Sequence, residues 1–489
     1  MKLKKLLQNI PSLTVKGFKD IEITGLCNNS KQAAPGYLFF AKKGLVHNGN
    51  QYITDALSAG IVALATDLYN PFLENVVQLI HPNVPLLESI LAEKFYDAPS
   101  KKILTIGITG TNGKTTTSYL IKHLLDHLQM PSGLIGTIEW IVKNNIFPST
   151  QTTPDILTNQ KLLHEMLLAG CKSAVMEVSS HGLDQGRVQT IDFDIAIFTN
   201  LTQDHLDYHG TMESYALAKS KLFTSLNPEK GKEKNYPKKV LINIDSPFAK
   251  TMLQNVRVPI LTYGLSEEAD VRAEEIHLSI TGSSCMICYK ECKTPFHTPL
   301  IGKFNLYNCL AAIGTGLSLG YDLVKVLTIL SSFAAVPGRM ERIENVSKKH
   351  IFVDYAHTED ALKNVLESLR EVTKGKVICV FGCGGNRDRL KRPKMGAVAE
   401  KFSDKLVITS DNPRSEPPEL VIQEILAGVQ NKEKVMVEPD RKKAIGLAIF
   451  ELDVHDVLLI AGKGHENYQI FAHYAIHFDD RIVAKEYCR

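Results

Sequence analysis

KKILTIGITGTNGKTTTSYLIKHLLDHL, residues 101–128, predicts a strand, a glycine-rich turn and a helix in direct succession. A β-prone apolar run opens the stretch, and apolar residues recur at helical spacing after the turn. Glycines let consecutive backbone N–H groups point inward, and the start of the helix adds the positive end of its dipole. The stretch therefore predicts a loop that binds a polyphosphate within an α/β fold.

This loop is a shortened form of the nucleotide-binding Walker motif. The usual spacing requires a glycine five residues before Gly113, where Ile108 stands instead. Lys114 would reach the outer phosphates, and the Thr115 hydroxyl would ligate a Mg²⁺ ion. A chance cluster of glycine, lysine and threonine is the alternative, which the flanking strand and helix disfavour. The candidate ATP-binding residues of the loop are Gly110, Thr111, Asn112, Gly113, Lys114, Thr115 and Thr116.

The composition is that of an ordinary globular protein. At 489 residues the chain is too long for one core, and we expect about three domains. A net charge of +3 gives no indication of a nucleic-acid or membrane partner. No apolar run approaches the ~20 residues that cross a bilayer. The nine scattered cysteines fit reduced thiols, and we expect a cytoplasmic location.

The order of apolar runs and turns predicts three α/β domains. Residues 1–99 are typical of a small α/β domain. Residues 100–336 predict a mostly parallel sheet with crossover helices, followed by a β-meander with turns at Gly282-Ser283 and Lys290-Glu291. Residues 337–489 predict a Rossmann-like, doubly wound domain. In such sheets we expect functional residues just beyond the carboxyl ends of the strands.

Polar side chains follow two predicted strands of the central domain. Glu177 ends one strand near the phosphate loop and is the best partner for Thr115 in a Mg²⁺ site. Its alternative role is to cap the next helix. His205 follows another strand within residues 204–209, which are rich in ionisable side chains. A single loop histidine is more often an ordinary polar residue.

Three cysteines and a histidine invite a metal interpretation. Cys285, Cys288 and Cys292 are separated by two and then three residues, and His297 lies beyond them. The spacing permits zinc or an iron–sulfur cluster. Because the first two lie in a strand-like run and no second pair is nearby, buried structural thiols are favoured.

Three strand ends in the third domain carry charged residues. Arg387, Arg414 and Glu466 each follow a predicted strand, so the topology should bring two cations and one anion together. Guanidinium groups bind a carboxylate and a carboxylate binds an ammonium, which is what a zwitterionic amino acid requires. Ordinary surface charge is the alternative.

Together these motifs resemble those of the Mur ligases of bacterial cell-wall synthesis. The resemblance extends over all three predicted domains in the family's order, and Asp411-Asn412-Pro413-Arg414 resembles the signature of the members that add meso-diaminopimelate. The stretches that carry it are 109–116, 152–155, 177–181, 199–210, 302–308, 337–341, 354–358 and 462–466.

The resemblance implies an ATP-dependent, amide-bond-forming ligase of peptidoglycan synthesis. ATP would phosphorylate the side-chain carboxylate of the D-glutamyl residue in UDP-N-acetylmuramoyl-L-alanyl-D-glutamate. The amine of meso-2,6-diaminopimelate would then attack the acyl phosphate. The resemblance also implies small-molecule partners only, and we expect a monomer.

The resemblance further implies roles for particular residues. Lys114, Glu177, His205 and Lys219 would be the catalytic residues. Thr115 and Glu177 would hold one Mg²⁺ and His205 would help to bind a second, with a carbamylated Lys219 as a further oxygen ligand of the metal site. ATP would also be contacted by Asn308, Arg339 and Asp354 from two domains, which implies domain closure. The UDP-linked substrate would be held by Ser30, His47, Asn48, Gly49, Gln151, Thr152, Thr153, Ser179, Gln185 and Arg187. The amino acid would be held by Arg387, Asp411, Asn412, Pro413, Arg414, Gly462 and Glu466.

Two other functions stay open at this point. The chain could be another amino-acid ligase of the same fold, such as a lysine-adding or folylpolyglutamate enzyme, although the strand-end arginines and the first domain argue against it. It could also be a nucleotide-dependent switch without ligase chemistry. The full set of predicted metal residues disfavours a switch, because a binding module needs no second metal site.

Overall fold

Three large β-sheets follow one another along the chain and define three α/β domains. The structure is a computed structural model and describes residues 1–18, 20–44, 48–228, 232 and 236–488. The predicted α/β class and the three-domain organisation are confirmed. Domain boundaries after residues 99 and 336 stay a prediction.

The first sheet has five strands in the order β1-β5-β4-β3-β2, with only β1 antiparallel to its neighbour. Its strands are β1 (Thr14–Lys16), β2 (Gly25–Cys27), β3 (Tyr37–Phe40), β4 (Ala63–Thr66) and β5 (Val77–Ile80). The accompanying helices are α1 (Leu3–Leu6), α2 (Ile53–Ser58) and α3 (Val84–Phe95). Short 3₁₀ turns cover Ser30–Gln32, Gly49–Tyr52 and Pro99–Lys101.

The central sheet has eleven strands in the order β16-β15-β14-β13-β12-β11-β6-β10-β7-β8-β9. Its strands are β6 (Leu104–Thr109), β7 (Ser132–Ile135), β8 (Glu139–Val142), β9 (Asn145–Pro148), β10 (Ser173–Glu177), β11 (Ile195–Phe198), β12 (Lys239–Asn243), β13 (Ile260–Gly264), β14 (Val271–Ser279), β15 (Gly282–Tyr289) and β16 (Cys292–Thr298). Its helices are α4 (Lys114–His127), α5 (Ile156–Leu168), α6 (Ser180–Asp184), α7 (Leu206–His209), α8 (Met212–Thr224), α9 (Ala249–Met252), α10 (Lys303–Ser318) and α11 (Leu323–Ser331).

The third sheet has six strands in the order β17-β18-β22-β19-β20-β21, and a separate hairpin pairs β23 with β24. Its strands are β17 (Glu341–Arg342), β18 (His350–Asp354), β19 (Val377–Phe381), β20 (Lys405–Ile408), β21 (Val435–Val437) and β22 (Val457–Ala461), and the hairpin is β23 (Tyr468–Ile470) and β24 (Ala475–His477). Its helices are α12 (Glu359–Val372), α13 (Lys391–Phe402), α14 (Pro418–Leu426), α15 (Arg441–Phe450) and α16 (Asp480–Tyr487), with a 3₁₀ turn at Lys432–Lys434.

The position of β6 in the sheet determines where a site can form. Every residue of β6, β10 and β11 is buried, as expected of parallel strands covered by helices on both faces. β6 pairs in parallel with β10 on one side and β11 on the other. The chain segments that leave these three strands therefore meet at one edge of the sheet.

The predicted turn at Gly282-Ser283 is wrong by two residues. β14 ends at Ser279 and β15 already begins at Gly282, so the turn lies at Ile280-Thr281. Gly282 is needed for a close approach instead, because a Cβ there would lie 2.3 Å from the carbonyl oxygen of Thr298. The turn at Lys290-Glu291 is confirmed between β15 and β16.

The cysteines of the meander do not form a metal site. Cys285 and Cys288 are buried in β15, while Cys292 is exposed. Burial raises the pKa of Cys285 to about 11, which keeps the thiol protonated. Among the residues that the structure describes, no three His, Cys, Asp or Glu side chains are grouped to hold a metal. Within the same residues, no helix is sufficiently long and apolar to span a membrane.

Candidate active site

The phosphate loop lies between β6 and α4, as the sequence predicts. Gly110 and Gly113 have φ angles of +154° and +85°, which favour glycine. A Cβ at Gly110 would lie 1.9 Å from the Thr199 hydroxyl, so the loop packs closely against the end of β11. Ile108 is a buried residue of β6. The position where a Walker glycine would stand is therefore part of the strand.

Two lysines share one carbonyl oxygen of this loop. Lys114 Nζ donates to the carbonyl oxygens of Gly110 and Thr111, both at 2.8 Å. Lys219 Nζ, from the buried face of α8, donates to the Gly110 oxygen at 2.9 Å. Burial lowers the pKa of both amines, and the charge of Lys114 lowers the pKa of Lys219 further. The Lys219 pKa lies well below its ordinary value although Asp204 opposes the shift, so its neutral amine forms more readily than that of an exposed lysine.

Glu177 lies directly beside the start of α4. Its side chain is fully buried at the end of β10, and Thr115 Oγ1 donates to its Oε2 at 3.0 Å. Thr137, after β7, donates to Oε1 through its backbone N–H and to Oε2 through its hydroxyl, each at 2.9 Å. The carboxylate thus has hydroxyl and amide partners, and no cationic side chain in the described chain forms an ion pair with it. Oxygen donors of this kind suit Mg²⁺.

His205 follows β11 in a left-handed conformation, with φ of +53°. Its Nε2 lies 3.5 Å from Asp204 Oδ2, and its ring centroid lies 4.8 Å from that of His181. Burial lowers the pKa of His205 more than Asp204 raises it. The imidazole is therefore neutral at pH 7, which is the form that ligates a metal.

Residues predicted to hold the UDP-linked substrate come together although they are far apart in sequence. Arg187 Nη1 donates to Gln151 Oε1 at 2.6 Å and to the Thr153 carbonyl oxygen at 2.8 Å. Its Nη2 donates to Gln185 Oε1 at 2.6 Å. Thr153 Oγ1 accepts from the Ser179 backbone N–H at 2.9 Å. These contacts connect the start of α5 with both ends of α6.

The first domain adjoins the start of α5, beside this cluster. Asn28 Nδ2 lies 3.4 Å from Asp155 Oδ1, which joins the turn before Ser30 to the start of α5. The turns that contain Ser30 and Gly49 both pack beside α2, and Asn48 caps the second turn. His47, which the resemblance also places at this substrate, lies outside the described residues.

Three residues predicted to contact ATP lie on elements outside the loop, and Asn308 packs directly against it. Asn308 is buried in α10, and a Cβ at Gly113 would lie 2.4 Å from its Oδ1. Asp354 ends β18 and accepts backbone N–H groups at both carboxylate oxygens. The Arg339 guanidinium lies 4.7 Å from the Tyr355 ring centroid, and its buried Nε has no hydrogen-bond partner within the described residues. The charge of Arg339 helps to lower the pKa of Lys114, which places it in electrostatic range of the loop.

The third domain also contacts the loop directly. Asp360 at the start of α12 accepts from Asn112 Nδ2 at 3.1 Å and from Thr202 Oγ1 at 3.0 Å. Thr111 Oγ1 lies 3.2 Å from the Tyr215 hydroxyl, so the loop is tied to α8 as well. Thr116 is buried in the first turn of α4.

Asn412 is the centre of the predicted amino-acid pocket. Its Nδ2 donates to Glu466 Oε2 at 2.9 Å, while Lys463 Nζ donates to Asn412 Oδ1 at 3.2 Å and to Glu466 Oε2 at 3.1 Å. Arg414 has a φ of +52° and donates from Nη1 to the Gly385 carbonyl oxygen at 2.8 Å. Within the described part of the chain, no hydrogen bond is made by Glu466 Oε1 or by the Nη2 and Nε groups of Arg414. Both side chains can therefore bind a ligand.

Arg387 approaches the same place from β19. A Cβ at Gly384 would lie 2.9 Å from Arg414 Nη1, 3.6 Å from Arg387 Cγ and 3.9 Å from Asp411 Oδ1. A Cβ at Gly462 would lie 2.9 Å from Asp411 Oδ2. The predicted residues that follow β19, β20 and β22 around this point are Arg387, Asp411, Asn412, Pro413, Arg414, Gly462 and Glu466.

Buried arginines support the pocket, and the sequence did not reveal them. Arg441 donates to both carboxylate oxygens of Asp480, at 2.8 and 2.7 Å, and to the carbonyl oxygens of Ala461 and Ser410 at 3.0 and 3.3 Å. Arg392 donates to Glu416 and Glu424 and to the Gly384 carbonyl oxygen. Thr137 and Lys463 were missed too. Thr137 could have been found from its position just after a strand, and Lys463 from its place within residues 462–466.

Two family models match most of the chain. Residues 108–316 match the Mur ligase middle domain. Residues 338–464 match the model described as Mur ligase, glutamate ligase domain. The UDP-N-acetylmuramoyl-L-alanyl-D-glutamate–2,6-diaminopimelate ligase of Chlamydia pneumoniae is 45% identical, and the match covers 99% of each chain.

Solved structures agree with these matches. A UDP-N-acetylmuramoyl-L-alanyl-D-glutamate–2,6-diaminopimelate ligase has a TM-score of 0.71 at 31% identity, covering 100% of this chain and 98% of that chain. The MurF ligase from Thermotoga maritima, solved in complex with ADP, has the same fold, with a TM-score of 0.63 at 18% identity covering 90% and 94%. On these matches, the chain belongs to the Mur ligase family.

Proposed function

We propose that the protein is an ATP-dependent ligase that joins meso-2,6-diaminopimelate to UDP-N-acetylmuramoyl-L-alanyl-D-glutamate in peptidoglycan synthesis. A relative named for this pair of substrates is 45% identical over the full length. The observation that carries the choice of amino acid is the pocket around Asn412, where Arg414 and Glu466 present opposite charges. A cytoplasmic location and a monomeric state stay predictions.

ATP would bind between the central and third domains. The N–H groups of the phosphate loop and Lys114 would hold its phosphates. Arg339 and Asp354 would contact it from the third domain, and the unpartnered Arg339 Nε supports a polar ligand there. The Asp360 carboxylate contacts Asn112 of the phosphate loop, so it would lie close to the negative charge of the triphosphate. The repulsion between them supports a change in domain arrangement when ATP binds.

Thr115 and Glu177 would hold one Mg²⁺, His205 would help to bind a second, and a carbamylated Lys219 would add an oxygen ligand to the metal site. The buried Glu177 carboxylate and the adjacent Thr115 hydroxyl are the oxygen ligands that Mg²⁺ prefers. The neutral His205 ring is in the form that can ligate a metal. When bound, Mg²⁺ supplies positive charge that offsets the charge on a transferring phosphoryl group.

The environment of Lys219 supports its carbamylation. A neutral amine forms a carbamate by attacking the carbon of CO₂, with formation of a C–N bond and loss of one proton. Burial beside Lys114 lowers the pKa of Lys219 well below its ordinary value, which favours that neutral amine relative to an exposed lysine. A carbamate would also place an anionic oxygen ligand beside Lys114.

The reaction would proceed in two steps. The D-glutamyl side-chain carboxylate attacks the γ-phosphorus of ATP, giving an acyl phosphate and ADP. The diaminopimelate amine then attacks the acyl carbon, the amide forms, phosphate leaves and the amine loses a proton. The protein's part is to position the reactants and to neutralise charge, with Lys114 at the phosphates.

The two substrate sites would hold the reacting groups in place. Arg414 and Arg387 would bind a carboxylate of diaminopimelate, and Glu466 Oε1 would accept from an ammonium group. On the other side, Thr152, Ser179 and Arg187 would bind the diphosphate and sugar of the nucleotide, whose uridine would extend to the first domain near Ser30.

The test measures phosphate release by the purified protein with ATP and Mg²⁺. We expect release only when both the UDP-linked dipeptide and meso-diaminopimelate are present. Equal turnover with L-lysine would contradict the amino-acid specificity. Absence of turnover with any amino acid in a panel would contradict ligase activity and favour a nucleotide switch.

A variant tests the pocket separately. Arg414→Ala should raise the KM for diaminopimelate by about 10- to 100-fold, the range for losing a charge-assisted hydrogen bond. The KM for ATP should change little. Arg257→Ala, an exposed arginine of the central domain, is the matched control. Equal losses for both substrates in Arg414→Ala would refute the assignment.

A further inference from the structure

Thr137 lies between the proposed metal site and the proposed nucleotide-substrate site. It belongs to the turn between β7 and β8, and its hydroxyl contacts two groups at once. Thr137 Oγ1 is 2.9 Å from Glu177 Oε2 and 3.0 Å from Thr152 Oγ1. Thr152 is one of the residues proposed to bind the UDP-linked substrate. Thr137 therefore touches both sites through a single oxygen atom.

The turn is built to hold the Glu177 carboxylate in one orientation. The Thr137 backbone N–H donates to Oε1 at 2.9 Å while its hydroxyl reaches Oε2. Gly136 allows this close approach, because a Cβ there would lie 2.5 Å from Glu177 Oε1. The backbone contact fixes the carboxylate, so the hydroxyl can change partner without releasing it.

A count of protons determines how the three groups are linked. A hydroxyl has one proton to donate, and a carboxylate oxygen only accepts. If Thr137 donates to Glu177, the contact between Thr137 and Thr152 requires the Thr152 proton. When a phosphate or sugar oxygen of the substrate accepts the Thr152 proton, Thr152 no longer donates to Thr137. The Thr152 oxygen can then accept the Thr137 proton instead.

This exchange has a direction. When the Thr137 hydroxyl turns towards Thr152, Glu177 Oε2 loses one donor and keeps the hydrogen bond from Thr115. An oxygen that is released from a hydrogen bond is a better ligand for a cation. Filling the nucleotide-substrate site would therefore strengthen the metal site, and the reverse must also hold because coupling is reciprocal.

We propose that Thr137 is a positioning residue that couples occupancy of the UDP-linked substrate site to metal binding at Glu177. The inference rests on the proposed function, because it requires both sites. It assigns to Thr137 neither contact with the reacting atoms nor a step in the chemistry. Its effect is to make the metal bind more tightly once the acceptor substrate is in place.

The test measures equilibrium binding of Mn²⁺, used in place of Mg²⁺, by electron paramagnetic resonance of the free ion. The full-length protein is titrated in the presence of ADP, with and without UDP-N-acetylmuramoyl-L-alanyl-D-glutamate. In the unsubstituted protein we expect the substrate to lower the Mn²⁺ Kd by about 5-fold or more, the lower end of typical couplings. Substrate affinity is measured separately by calorimetry.

Two variants of one residue separate coupling from structure. Thr137→Val keeps the side-chain shape and the backbone N–H but has no hydroxyl, so the substrate should no longer change the Mn²⁺ Kd. Thr137→Ser keeps the hydroxyl and should retain the change. Thr328→Val is the control, because that hydroxyl donates to the Val324 carbonyl oxygen of its own helix, away from both sites.

The possible outcomes are distinct. Coupling that survives in Thr137→Val overturns the proposal, and so does its loss in Thr137→Ser. An unsubstituted protein that binds the UDP-linked substrate without any change in Mn²⁺ Kd overturns the coupling alone. An unsubstituted protein that does not bind this substrate contradicts the proposed function, and the coupling with it.

Discussion

Replacing Asp480 with asparagine should destabilise the third domain strongly. Arg441 and Asp480 are completely buried, and the guanidinium donates to both carboxylate oxygens, at 2.8 and 2.7 Å. In Asp480→Asn the cation keeps the carbonyl oxygens of Ser410 and Ala461 and one amide oxygen of the new side chain, but it loses its anionic partner and faces an NH₂ donor in place of the second carboxylate oxygen. An uncompensated charge then stays in the interior, where transfer from water is costly.

The magnitude follows from the complete burial of the pair. Breaking a buried ion pair by removing one partner costs about 3–5 kcal/mol. That is a large part of the roughly 5–15 kcal/mol by which a domain is stable. With an m-value of about 2 kcal/mol/M in urea, a loss of about 4 kcal/mol lowers the unfolding midpoint by about 2 M.

The assay uses a buried thiol as a local probe. Cys379 lies in β19 with no exposed surface, so it reacts with an alkylating reagent only when this domain opens. Brief alkylation at increasing urea concentrations, read by mass spectrometry, gives the midpoint. Lys442→Ala is the matched control, because Lys442 and Glu486 form an exposed ion pair between the same two helices. Its midpoint should hardly move.

Two results decide the outcome. A midpoint in Asp480→Asn equal to that of Lys442→Ala would refute the reasoning. The double variant Arg441→Met with Asp480→Leu removes both charges and should recover most of the stability, since apolar replacements of buried pairs are often neutral. Failure to recover would mean that the contacts with Ser410 and Ala461, rather than the charge, provide the stability.

Three further predictions concern the site. The folded-state pKa of His465 is lowered to about 3 by burial and by the charges of Arg339, Arg481 and Lys463. Between about pH 6.5 and about 3 the unfolded chain therefore binds one more proton at this residue than the folded chain does. Acidification through this range should lower the free energy of unfolding by up to about 1.4 kcal/mol per pH unit. His465→Gln should remove this contribution in urea titrations at several pH values, and parallel stability curves would contradict it. Gly338→Ala should raise the KM for ATP and for the amino acid, because φ is +64° and a Cβ would lie 2.0 Å from His465 N; unchanged KM values would contradict the close packing. Lys219→Ala should lose about 100-fold in kcat, as for a lost electrostatic stabiliser, and a carbamate ¹³C resonance from labelled bicarbonate should be seen only in the unsubstituted protein. A resonance that persists in Lys219→Ala would assign the carbamate to another amine.

The sequence predicts the elements whose signals are local. β6, the phosphate loop and α4 follow directly from an apolar run, two glycines and helical spacing within residues 101–128. The buried strands β10, β11, β19 and β22 are also recognisable, because parallel strands covered on both faces are almost entirely apolar. Strand ends then indicate where Glu177 and Glu466 lie.

Contacts between distant segments could not be predicted in this way. Thr137 and Glu177 are 40 residues apart, and Arg441 and Asp480 are 39 apart. No periodic pattern links them, because their partners are chosen by how sheets and helices pack. Gly282 shows the same limit, because a glycine is needed there to let the backbone pack closely against Thr298 and not to form a turn.

The Gly110 carbonyl group accepts hydrogen bonds from two lysines, Lys114 and Lys219. Any change in bonding at either amine therefore reaches one peptide group. Loss of a hydrogen bond raises the stretching frequency of a carbonyl. A ¹³C label placed at the Gly110 carbonyl carbon would consequently give one infrared band that follows phosphate contact at Lys114 and modification at Lys219, a vibrational reporter located within the loop itself.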